Sequence, residues 1–193
     1  MTAREIKDLN NMCSSAFAIK LGNIISNVKK SPIPEGTPQN SKAATGNITF
    51  NGSVSNGETV TIGEDVYEFD TDGSVEEGNI QVDVSGGDTA SDAAAALNTA
   101  INEDGTEPVT AEEDETDDAV IVTYDIKGEV GNSVETTETV TNATWENETL
   151  TGGQNGTEGE KWQQYVDEDY IYVAIEENTV NDDNWKRISL STF

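Results

Sequence analysis

Between Thr45 and Asp70 the chain reads TGNITFNGSVSNGETVTIGEDVYEFD, with apolar side chains at alternate positions and none of the three-to-four spacing of a helical face. Ile48 and Phe50 alternate with polar neighbours, Asn51 to Gly57 is polar, and Val60 and Ile62 match Tyr67 and Phe69 across Gly63 to Asp65. A period of two turns one side of a strand to a core and the other to water. The stretch therefore predicts a strand, a loop and a β-hairpin.

The same period resumes at Ile80, Val82 and Val84 after a turn over 70–78. Ser85 to Asp92 then carries helix-start chemistry, and Ala93, Ala96, Leu97, Ala100 and Ile101 share a face, which predicts a packed helix near 89–102. Glu107 to Ala111 and Ala119 to Tyr124 read as strands bracketing Glu112 to Asp118, an exposed acidic hairpin tip. Asn132 to Trp145, rich in Thr and Val, reads as extended. The expected class is α+β and mainly β, with a central antiparallel domain over 44–153. TGGQNGTEG, Thr151 to Gly159, reads as a flexible hinge at the start of a small aromatic β-module over 154–193. Six of the twelve aromatic residues fall between Glu160 and Phe193, and YIYVAI (Tyr170 to Ile175) is apolar at both parities, as in a strand buried on both sides.

The first 30 residues obey a different rule. Thr2 and Glu5 spell a capping box, and Ile6, Leu9, Met12, Cys13, Ala16, Phe17, Leu21, Ile24, Ile25 and Val28 follow helical spacing, weakened at Gly22. Such a face has to dock on something. Ile6, Leu9, Phe17, Leu21 and Ile24, with Lys29 and Lys30, are the candidate attachment residues of a helical arm, for a capsid or for sister copies. Residues 31–43, holding three of the four prolines, read as a stiff linker.

Charge changes sign across that linker. Residues 1–43 carry six basic and three acidic residues, 44–153 carry one and 26, and 154–193 carry three and nine. The total of -28 repels phosphate backbones and anionic headgroups, so neither nucleic acid nor membrane is an expected partner. Only 34% of residues are hydrophobic, and contacts with other chains are the expected supplement to a thin core. A single cysteine, Cys13, makes no intrachain disulfide. The N-terminus lacks the apolar core of a signal peptide, so synthesis in the cytoplasm is expected.

Histidine is absent, which removes the commonest general base and most zinc sites. No motif marks a carboxylate pair among the 38 acids, and a non-enzyme without cofactors is expected. Asp70, Asp72 and Gly73 resemble half of an EF-hand loop, a weak calcium alternative to an ordinary Asp-Gly turn. Trp162, Tyr165, Tyr170 and Trp185 are candidates for a sugar-stacking platform, set against the plainer role of building a small core.

GETVTIGEDVYEF, the Ala-rich helix followed by KGEVGNS, and the terminal YVDEDYIYVAIEENTVNDDNWKRISL together resemble tailed-bacteriophage head-fibre or capsid decoration proteins. The resemblance spans about Ala43 to Leu190. It implies a structural protein on the capsid surface of a virion, made in the bacterial host, with the major capsid protein or other virion proteins as partners. A homo-oligomer, first of all a trimer, is implied too. A phage tail-fibre or adhesin role, with host or mucosal glycan bound by the aromatic module, is the alternative, and a calcium-stabilised surface-layer protein a third reading.

Overall fold

In a computed structural model, which describes residues 37–114 and 118–190, the alternating stretch forms β1 (Thr45–Phe50), β2 (Thr59–Ile62) and β3 (Asp65–Asp70). Gly63, at φ 59°, takes the left-handed turn that lets Ile62 face Asp65 across a two-residue hairpin. β4 (Ile80–Asp83), the helix α1 (Ala90–Asp104), β5 (Val109–Asp114), β6 (Ala119–Tyr124), β7 (Thr136–Glu138) and β8 (Ala143–Trp145) complete the body.

Two four-stranded sheets result, ordered β5-β6-β1-β8 and β4-β3-β2-β7. The stretch from Thr45 to Asp70 thus straddles both layers. Ile48, Phe50, Val120 and Val122 of the first sheet and Val60, Ile62, Tyr67, Phe69 and Val82 of the second belong to one buried cluster. Phe50 and Phe69 meet edge to face across it, 5.8 Å between centroids. Helix α1 contacts strands of both sheets and buries Ala93, Ala94, Leu97, Ala100 and Ile101 in the same core. Its start is a capping box in which the side chains of Thr89 and Asp92 each accept the other's backbone N–H.

β4 corrects the expectation of an antiparallel domain, because it runs parallel to β3. Two buried acids account for the reversal of the intervening loop. Asp70 Oδ1 accepts the amides of Asp72 and Gly73, both at 2.8 Å, and of Ser74 at 3.2 Å. Glu68 Oε2 then accepts the Glu76 amide at 2.9 Å and Asn79 Nδ2 at 2.6 Å, drawing the chain back along β3 before β4 begins. Asp65 does the same for the loop after α1, accepting the amides of Thr106 and Glu107 at 2.6 and 2.7 Å and the Thr106 hydroxyl at 2.6 Å.

Other expectations shift as well. β5 extends through Asp114, so the acidic run starts inside a strand pair rather than at a tip. Asn132 and Ser133 finish a short 3-10 helix, Glu129–Ser133, before the short strands β7 and β8. The expected hinge is tethered along its length: Thr151 bridges Thr45, Gln154 bridges Lys42, Gly156 donates to the Val180 carbonyl and Gly159 pairs with Asn178.

Past that seam lie β9 (Gln164–Val166), β10 (Tyr170–Ala174) and β11 (Trp185–Ser189), in the antiparallel order β11-β10-β9. Tyr165, Tyr172, Ala174 and Trp185 form a second, smaller core. Among the described residues no helix is long and apolar enough to cross a membrane.

Candidate functional site

Five of the eight large hydrophobics left exposed among the described residues belong to the C-terminal module: Trp162, Val166, Ile175, Ile188 and Leu190. Strand register explains the concentration. Tyr172 pairs with Tyr165 and Arg187, while Ile171, one residue earlier and so on the other face, pairs with Val166 and Ile188. Val166, Ile171 and Ile188 therefore make one row across all three strands, with Val166 45% and Ile188 61% exposed. This corrects the reading of YIYVAI as a strand buried on both sides. Tyr172 and Ala174 are buried, but Ile171 and Val173 are only half-buried.

The inner face is built around one indole. Trp185 stands edge to face with Tyr165 at 4.9 Å, and its Nε1 donates to the Thr157 carbonyl at 2.6 Å. That carbonyl also accepts Asn178 Nδ2 at 2.7 Å. Gly159 makes the approach possible, since a Cβ there would stand 2.9 Å from the indole Cη2. At the opposite end Tyr172 Oη donates to Asp167 Oδ2 at 2.8 Å, while Asp167 Oδ1 takes the amides of Asp169 at 2.9 Å and Tyr170 at 2.7 Å. The Tyr172 bond leads in holding the Asp167 carboxyl below the usual carboxylate range, and the two amides add to it against partial desolvation.

A segment that the sequence reading assigned to the linker fastens this module to the body. Gln39 and Thr157 exchange bonds, the Gln39 amide to Thr157 Oγ1 at 2.9 Å and the Thr157 amide to the Gln39 carbonyl at 2.8 Å. Ser41 Oγ donates to the Asp182 carbonyl at 3.0 Å, and the amides of Lys42 and Gln154 each donate to the other's carbonyl. Thr37 Oγ1 reaches Asp167 Oδ2 at 3.3 Å, so the described chain begins beside the turn between β9 and β10. Lys127 on the body pairs with Asp183 on the module at 2.6 Å.

The structure separates the residues proposed as a sugar platform. Tyr165 and Trp185 lie in the small core, and Tyr170 is half-buried with the Arg187 guanidinium 4.6 Å from its ring centre. Trp162 stands apart, 65% exposed at a strained φ of 72°, with Lys161 Nζ 5.6 Å from its ring centre. The four rings form no common surface. Asp70 and Asp72 do not converge either. Asp70 is buried, and its carboxylate is taken up by the three loop amides and by Gln81 Nε2, whereas Asp72 meets Asn56 Nδ2 at 3.4 Å. Desolvation works to raise the Asp70 pKa, and these hydrogen bonds outweigh it and leave it lowered. The pattern of Asp70, Asp72 and Gly73 is a turn anchor. Ile6, Leu9, Phe17, Leu21, Ile24, Lys29 and Lys30 lie outside the described residues.

Site and fold together define an acidic, mainly β protein of the α+β class, with a two-sheet body and a sheet module that presents one apolar face. No protein-family model matches the chain, and no curated protein matches it.

Proposed function

We propose that the chain is a non-enzymatic structural protein of a bacteriophage virion, a head-fibre or decoration protein on the capsid exterior, attached through residues 1–30. One observation carries this reading: each motif of the resemblance falls on regular elements of the fold. GETVTIGEDVYEF covers the β2–β3 hairpin, the Ala-rich run and KGEVGNS cover α1 and the 3-10 helix, and the terminal motif covers β9 to β11. The use made of buried acids agrees with it. Asp65, Glu68 and Asp70 bind loop amides and side chains, which serves architecture rather than proton transfer.

Co-sedimentation with capsids purified without this protein tests the assignment. The full chain pellets with the capsids, and a chain lacking residues 1–36 stays in the supernatant. Equal pelleting of the two would sink the proposal. Trp162 favours a narrower form of the adhesin alternative, in which one exposed ring stacks on a sugar. Glycan-array binding abolished by Trp162→Ala would support that reading, and a blank array with the native chain would remove it.

A further inference from the structure

We propose that residues 1–30 dock their apolar stripe on the outer face of the β9–β10–β11 sheet of the same chain. The face carries Val166, Ile171, Val173 and Ile188, with Leu190 continuing the alternation of β11, and among the described residues nothing covers it. Contiguous apolar surface of this kind marks a contact site.

Three observations select the arm as occupant. The first is where the described chain begins. Thr37 is bonded to Asp167 in the β9–β10 turn, the residue next to Val166, so the preceding segment departs from one end of the sheet. The second is reach. Ser31 to Gly36 spans at most about 20 Å when extended, and three strands of this length make a face of about 10 by 17 Å. The segment ending at Lys30 can therefore lie across it, and tethering holds the effective concentration on the order of millimolar. The third is charge. The arm side, residues 1–43, has three more bases than acids, and residues 154–193 have six more acids than bases. Lys29 and Lys30 are the arm residues nearest in sequence to Thr37, whose hydroxyl is bonded in the acidic turn Asp167, Glu168 and Asp169.

Leu21, Ile24, Ile25 and Val28, the turns nearest the tether, supply the apolar contact. On a virion the same residues would have to leave this face before they met the capsid, so docking makes attachment a competition. The docking itself is a property of the free chain and stands or falls without the virion.

A nitroxide on Ser26→Cys, in a full-length Cys13→Ser background, reads it by paramagnetic broadening of backbone amide signals. Expected is a loss of about half the signal or more at Val166, Ile171 and Ile188, unchanged when spin-labelled chains are diluted with unlabelled ones. Ile188→Lys should restore those signals while the Tyr172 and Trp185 amides keep their positions. No loss at these residues, loss spread evenly over the body, loss that disappears on dilution, or broadening that survives Ile188→Lys would overturn the proposal.

Discussion

The body and the C-terminal module are built from sheets of similar strand length, yet they are held together by different means. Among the described residues the body encloses a cluster of 24 buried apolar side chains between two sheets and a helix, while the module has four, Tyr165, Tyr172, Ala174 and Trp185. A unit as small as the module rarely persists on such a core alone. Its staples are polar and external: the strap over 37–42, the seam over 151–159, the Trp185 bond to the Thr157 carbonyl, and the Lys127–Asp183 pair. Layered burial makes one region self-sufficient. The other borrows its order from its neighbours and leaves an apolar face to offer.

Substitutions that strike each region's support should break this contrast or sharpen it. Phe69→Ala removes a fully buried ring shared by both layers and should lower global stability by about 3–5 kcal/mol. Chemical denaturation should show body and module lost together, because the module cannot outlast its support. Trp185→Ala should cost a comparable amount but locally, about 3 kcal/mol, with amides of β9 to β11 losing exchange protection while those of β1 and β6 keep theirs. Loss of protection throughout would mean that the two regions form one cooperative unit.

Asp65→Ala strands the Thr106 and Glu107 amides and should lower body stability by about 2 kcal/mol. Burial alone would raise the Asp65 pKa, but the bonds from Thr106, Glu107 and Tyr67 outweigh it and leave it lowered. A carboxylate lowered on folding stabilises above its unfolded value, about 3.9, and that contribution is lost as pH falls through the folded value. Denaturation curves between pH 5 and pH 2 should therefore show acid destabilisation of the native protein, and Asp65→Asn should remove part of that slope. Smallest of all, Lys127→Ala breaks a half-exposed ion pair and should change stability by less than about 1 kcal/mol, with any effect confined to module amides and screened by salt.

The contrast also governs what was legible in the sequence. The β2–β3 hairpin and α1 stand out because their signals are local: alternation closed by Gly63, and Thr89 followed by Asp92 at helical spacing. The parallel β4 was hidden because its direction depends on Glu68 and Asp70 capturing amides eight and two to four residues downstream. The strap and seam were misread for a similar reason. Gln154 and Gly156 are held by backbone bonds, which leave no mark in side-chain composition, so the Gly-rich run looked flexible, and the strap at Gln39 read as a stiff linker with no sign of its partner Thr157. Aromatic clustering at the C-terminus pointed to the module but not to its sidedness. Trp185 and Trp162 are the same residue type, one sealed against Gly159 and the other in solvent.

Native-state hydrogen exchange on the full chain, followed residue by residue in low denaturant, tests this division most directly. The account predicts two tiers: Ile48, Val122 and Phe69 exchange only through global unfolding, and Tyr172 and Ala174 exchange earlier, through an opening that leaves the body folded. Equal opening free energies in the two regions, or a module that outlasts the body, would contradict it.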